Sequence, residues 1–86
     1  MKKIEKTIKA FGNQSRLKIL AYLKKCKHAS VIDISRTTKC SYKATSKHLG
    51  ILFQNDVVDR EQVGFEMHYH LAESNDPVAI SLLKCI

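Results

Sequence analysis

The chain has 86 residues, 44% of them apolar, which is enough for one domain near the lower limit of a self-sufficient core. Fifteen Lys and Arg against eight Asp and Glu give a net charge of +7, a balance that points first to a polyanion such as nucleic acid and otherwise to plain solubility. No apolar run approaches the roughly 18 residues of a membrane span, the charged start MKKIEKTIKAFG lacks a signal-peptide core, and Cys26, Cys40 and Cys85, with no CxxC spacing, fit free thiols in a reducing cytoplasm.

Ile4, Ile8 and Phe11 recur at i, i+4 and i+7, predicting a first helix from about Lys3 to Phe11 that Gly12 ends. Asn13 is placed to cap a second helix, about Gln14 to Cys26, which buries Leu17, Ile19, Leu20 and Leu23 and carries Lys18, Lys24 and Lys25 outside. Lys24, Lys25 and Lys27 suit the negative end of its dipole. His28 to Ser30 is a short join with room for one strand-like pairing.

The stretch from Ser30 to Gln54 organises the rest. Ser30 is an N-cap with Asp33 three residues on, and Val31, Ile34 and Thr38 repeat at helical spacing, predicting a helix over Val31 to Thr38. Lys39 and Cys40 form a turn and Ser41 caps the next helix. Thr45, Leu49 and Leu52 make its buried stripe, while Lys43, Ser46, Lys47, Gly50 and Gln54 fall opposite. Two short capped helices with a tight join, the second presenting basic and polar groups, describe a helix-turn-helix over 30–54. An ordinary helical hairpin with solvated lysines is the plainer alternative.

Asn55-Asp56 then signals a turn, and Val57 to Leu71 reads as a β-hairpin with Gly64 at its tip. Met67, Tyr69 and Leu71 alternate with Glu66, His68 and His70. A hairpin directly after a recognition helix is a wing. Ser74-Asn75-Asp76-Pro77 starts a last helix, with Asp76 as N-cap and Pro77 in the first helical position, so that the closing segment spans 76–86. Val78, Leu82, Leu83 and Ile86 surround that helix with apolar groups, more than a small domain readily covers. Either the helix inserts into a deep groove of its own core or, together with Ile4 and Ile8, it forms a dimer interface, the reading favoured for so small a domain. The expected fold is a single mainly α (α+β) domain: a dimeric winged helix-turn-helix of about five helices with a two-stranded wing.

Phe11-Gly12-Asn13-Gln14-Ser15-Arg16-Leu17-Lys18-Ile19-Leu20 resembles the opening motif of ArsR-family repressors. SYKATSKHLGIL, from Ser41 to Leu52, resembles their recognition helix, and Val57 to Leu71 resembles their wing, with Gly64 at the tip and Tyr69 in the returning strand. The resemblance implies a homodimeric transcriptional regulator joined through its first and last helices. It also implies double-stranded DNA with an inverted-repeat operator as partner, each recognition helix lying in a major groove. On that reading Tyr42, Lys43, Ser46, Lys47 and His48 on the helix, with Arg60 and Gln62 on the wing, are the candidates to touch DNA. A winged-helix module that binds an acidic protein partner is the alternative function.

Departures from the family pattern limit what carries over. Metal-sensing members place two cysteines just before an Asp-Leu pair; here the pair is Asp33-Ile34 and those positions hold Ser30 and Ile32, which supply no thiolate. Other members bind zinc through Asp, His and Glu on a long last helix, and Pro77 to Ile86 has none of these. His68 and His70 stand at i, i+2 on one strand face, with nothing nearby in sequence to complete a tetrahedral set. No metal and no cofactor is therefore expected. Some members sense persulfide or oxidant through a cysteine on the second helix and one on the last. Cys26 and Cys85 lie on those helices, but Cys26 sits about one and a half turns beyond the place that the motif implies, so incidental thiols are the competing reading. No Gly-rich phosphate loop, paired carboxylates or Ser/His/Asp arrangement points to an enzyme.

Overall fold

The computed structural model describes residues 2–73 and 76–86. Its elements run α1 (Lys2–Phe11), α2 (Gln14–Cys26), β1 (His28–Ser30), α3 (Val31–Thr38), α4 (Tyr42–Gln54), β2 (Val58–Val63), β3 (Glu66–Leu71) and α5 (Pro77–Lys84). Each boundary has a local cause. Asn13, Ser30, Ser41 and Asp76 all hold extended backbone and accept, through a side-chain oxygen, from the N–H groups of Arg16, Asp33, Ala44 and Val78. Lys39, in the left-handed region at φ 58°, ends α3. Asp56, at φ 60°, turns the chain from α4 toward the wing. The Ser74-Asn75 part of the expected turn lies outside the described residues.

The expected two-stranded wing is one edge of a three-stranded antiparallel sheet of order β1-β3-β2. The pairing of Ala29 with Tyr69 brings the short join before α3 into the sheet. Val63 pairs with Glu66, so the wing closes through a two-residue turn, Gly64-Phe65. Gly64 takes φ 63° there, a conformation that a side chain would strain. Phe65 thus belongs to the turn rather than to the returning strand.

The core gathers Ile19, Leu20 and Leu23 from α2, Ile34 from α3, Leu49 and Leu52 from α4, and Val58 and Tyr69 from the sheet. Complete burial of side chains of this size contributes roughly 1.5–3 kcal/mol each. Leu17 departs from expectation. It is 36% exposed, because the buried arc of α2 is centred on Ile19, Leu20 and Leu23 and leaves Leu17 at its edge. Helix α5 stops at Lys84, with Cys85 as its cap. Lys24 is exposed at the end of α2, as expected, and its Nζ also donates to the carbonyls of Leu83 and Ile86, 2.9 Å each, so that it caps the C-terminus of α5 with a positive charge.

Candidate nucleic-acid interface

Helices α3 and α4 pack against each other, and the cap of α4 fixes which side faces out. Ser41 Oγ lies 3.1 Å from the Ala44 N–H. Thr45, Leu49 and Leu52 point into the core from the following turns, which leaves Tyr42 (58% exposed), Lys43 and Lys47 projecting outward, with Ser46 half-buried between them. No carboxylate occurs between Ser41 and Gln54. This face therefore carries uncompensated positive charge at the N-terminal end of a helix, where unpaired backbone N–H groups also favour an anion.

His48 belongs to the same helix but turns toward α2. Arg16 spans three elements: its Nε donates to the Ala10 carbonyl (2.8 Å), its Nη2 to the Lys9 carbonyl (3.0 Å), and its Nη1 lies 3.3 Å from His48 Nδ1. One guanidinium thus satisfies carbonyls at the end of α1 and holds the middle of α4. Burial pushes the His48 imidazole below its ordinary value, and the positive charges of Arg16 and then Lys47 push it further the same way. A bare Nδ1 that accepts from Arg16 agrees with that direction.

On the wing, Arg60 lies across the Phe53 ring, 4.0 Å from its centroid, with Nη1 3.5 Å from the Tyr69 hydroxyl. Its charge rests at the base of the wing beside α4. Gln62 Nε2 donates to the Gly64 carbonyl (3.1 Å) and stiffens the tip. Phe65 at that tip is wholly exposed. The outer face of the wing carries Asp59, Glu61 and Glu66, all exposed.

Sequence reasoning missed two contributors. Arg16 falls within the motif Phe11 to Leu20, but its partner His48 is 32 residues away. Lys39 at the helix-turn-helix joint lines a cleft with Lys18 and Lys25 of α2, a second basic surface between α2 and the end of α3. His28 pairs with His70 in the sheet, as the strand-like pairing expected at His28 to Ser30. Ile4, Ile8, Leu17 and Ile80 on α1, α2 and α5 are exposed apolar groups, whereas Leu82, Leu83 and Ile86 pack partly onto the chain's own core and Val78 is half-buried. All three cysteines are free thiols, Cys26 half-buried and Cys85 exposed.

Among solved structures, the homodimeric winged helix-turn-helix DNA-binding domain Mb0332 from Mycobacterium bovis, a possible ArsR-family regulator, aligns over 98% of this chain and 75% of its own, with TM-score 0.85 and 24% identity. HlyU from Vibrio cholerae aligns over 96% and 87%, with TM-score 0.83 and 26% identity. The transcriptional repressor BigR from Xylella fastidiosa aligns over 95% and 80%, with TM-score 0.79 and 20% identity. A search of curated proteins finds no match. The family model described as bacterial regulatory protein, arsR family, matches residues 13–60, from the cap of α2 through the helix-turn-helix into β2. With its winged helix-turn-helix and that match over more than half its length, the chain belongs to the arsR family of bacterial regulatory proteins.

Proposed function

We propose that this protein is a homodimeric repressor that reads an inverted-repeat operator in double-stranded DNA. Helix α4 would lie in the major groove with its first turns against the bases. The observation that carries this is the outward face of α4, with Tyr42, Lys43 and Lys47 exposed and no acidic residue along the helix. The repressor role follows BigR, named a repressor, and the dimer follows the M. bovis domain, described as homodimeric. The exposed Ile4, Ile8 and Ile80 are the surface that a second copy would cover, with Val78, Leu82, Leu83 and Ile86 completing it from behind. Control by metal at the family's cysteine positions has no support here, since Ser30 caps α3 and Ile32 supplies no donor atom.

The test is a salt titration on an operator selected from random duplex, comparing the native chain with Lys43→Ala, Lys47→Ala. Each lysine that neutralises a phosphate contributes about −0.9 to the slope of log affinity against log salt, so the double variant should bind more weakly and with a shallower slope while keeping its fold. If it folds and binds DNA unchanged, α4 is not the reader and an acidic protein partner becomes the better reading.

A further inference from the structure

We propose that the cleft between α2 and the end of α3 binds a small aromatic acid, a flat apolar ring system that carries a carboxylate or similar anionic group. This goes beyond the DNA-binding reading and does not depend on it.

The cleft measures about 480 Å³, within the roughly 300–1,000 Å³ usual for small-molecule sites. One wall is a single face of α2. Lys18, Ala21, Tyr22 and Lys25 stand at i, i+3, i+4 and i+7, so they form one stripe about 10 Å long. Ala21 and Tyr22 are half-buried in its middle, with Tyr22 packed against the core behind. The opposite wall is the end of α3, with Thr37, Thr38 and Lys39. The result is an apolar floor with exposed lysines around it, the mixture that takes an amphipathic ligand.

Charge selects the sign of that ligand. No carboxylate lines the cleft, and among the described residues Lys18, Lys25 and Lys39 make no ion pair. The C-terminus of α3 opposes them with about half a negative charge. Its last turn is already partly satisfied, since Thr38 Oγ1 donates to the Ile34 carbonyl (2.7 Å) and the Lys39 N–H to the Ser35 carbonyl. Positive charge therefore remains in excess, over a surface where an aromatic ring can lie against Tyr22. A neutral ring would forgo the charge and an inorganic anion would forgo the floor, so an acid with an aromatic body uses both. Lys39 also opens the turn that leads into α4. An occupant that ties it to α2 would hold the angle at which α4 is presented. On the DNA-binding reading, such a ligand and DNA would then alter each other's affinity by the same factor.

The experiment is titration of the full chain with naphthoate, followed by amide and methyl NMR, with no DNA present. One molecule per chain should bind saturably and shift Ala21, Tyr22, Thr38 and Lys39. The neutral naphthamide should bind at least tenfold more weakly. Lys18→Gln, Lys25→Gln should weaken naphthoate binding at least tenfold. Lys6→Gln, Lys9→Gln, which removes the same charge from α1, should change it less than twofold. Absence of saturable shifts at the cleft, equal affinity for acid and amide, or equal losses in the two double variants would overturn the proposal. So would a Lys18→Gln, Lys25→Gln chain that binds naphthoate normally but DNA with a shallower salt slope, since the surface would then belong to the DNA backbone. Should that variant fail to fold, the comparison of acid with amide on the native chain decides alone.

Discussion

Helix α4 and the β2–β3 wing are consecutive in the chain and rise from one core, yet they carry opposite charge. The outward face of α4 has Lys43 and Lys47 and no carboxylate, whereas the outer face of the wing has Asp59, Glu61 and Glu66. The wing's one arginine, Arg60, is drawn back onto Phe53 and Tyr69. On the proposed reading, attraction to phosphate is concentrated on α4, and on the wing it rests on Arg60, which is exposed.

Charge reversal breaks this comparison most sharply. Lys47→Glu should lower DNA affinity on the order of a hundredfold at about 0.1 M salt, since it removes one counterion-releasing contact and adds repulsion. Glu61→Lys should raise affinity only a few-fold. Equal and opposite effects, read by fluorescence anisotropy, would mean that wing and helix approach phosphate alike.

Next in size is the link that holds α4 in place. Arg16→Ala leaves the Lys9 and Ala10 carbonyls without their charged donor and should destabilise the fold by about 2–3 kcal/mol in urea denaturation. Arg16→Lys should recover little, because one ammonium cannot reproduce the fork. The same link sets a pH dependence. The folded His48 value lies below the unfolded one. Its contribution is then fully present above the unfolded value of about 6.5 and is lost as pH falls from there through the folded value. The native chain should lose stability over that window, and His48→Gln should flatten the loss.

The two regions also differ in their glycines. Gly50 lies in α4 with nothing within 4 Å of the place that an added methyl group would take, so Gly50→Ala should raise stability by about 0.5–1 kcal/mol. Gly64 has equal space but φ 63°, so Gly64→Ala should cost about 1 kcal/mol. Thermal midpoints moving in opposite directions would bear this out. The smallest effect is expected at the thiols: complete oxidation of Cys26 and Cys85 should leave DNA affinity within about twofold, and a larger loss abolished by Cys85→Ser would establish them as a redox pair.

The elements were legible because their signals are local. Ser30, Ser41 and Asp76 cap the helices that their positions announce, and Thr45, Leu49 and Leu52 are buried as their spacing requires. What escaped was long-range. Lys24 reaches α5 across 59 and 62 residues, and His28 meets His68 across 40. Periodicity assigns such side chains to a face without naming what lies opposite. Leu17 shows the same limit, since an apolar residue beside a buried arc looks like part of it until the neighbouring helices are in place. The candidate interface was therefore readable along α4 and less so on the wing, where the direction taken by Arg60 depends on Phe53 and Tyr69.

The strand order has a consequence for how the molecule behaves when crowded. With β3 central, β1 and β2 are both edges, and an edge strand offers unpaired backbone groups to any other chain that meets it. Strand β1 is only three residues long, too short to template much. Strand β2 is longer and exposed along most of its length, but it reads Val-Asp-Arg-Glu-Gln-Val, and charges of this density discourage a further strand from adding. The carboxylates of the wing thus guard the sheet against fibrous self-association.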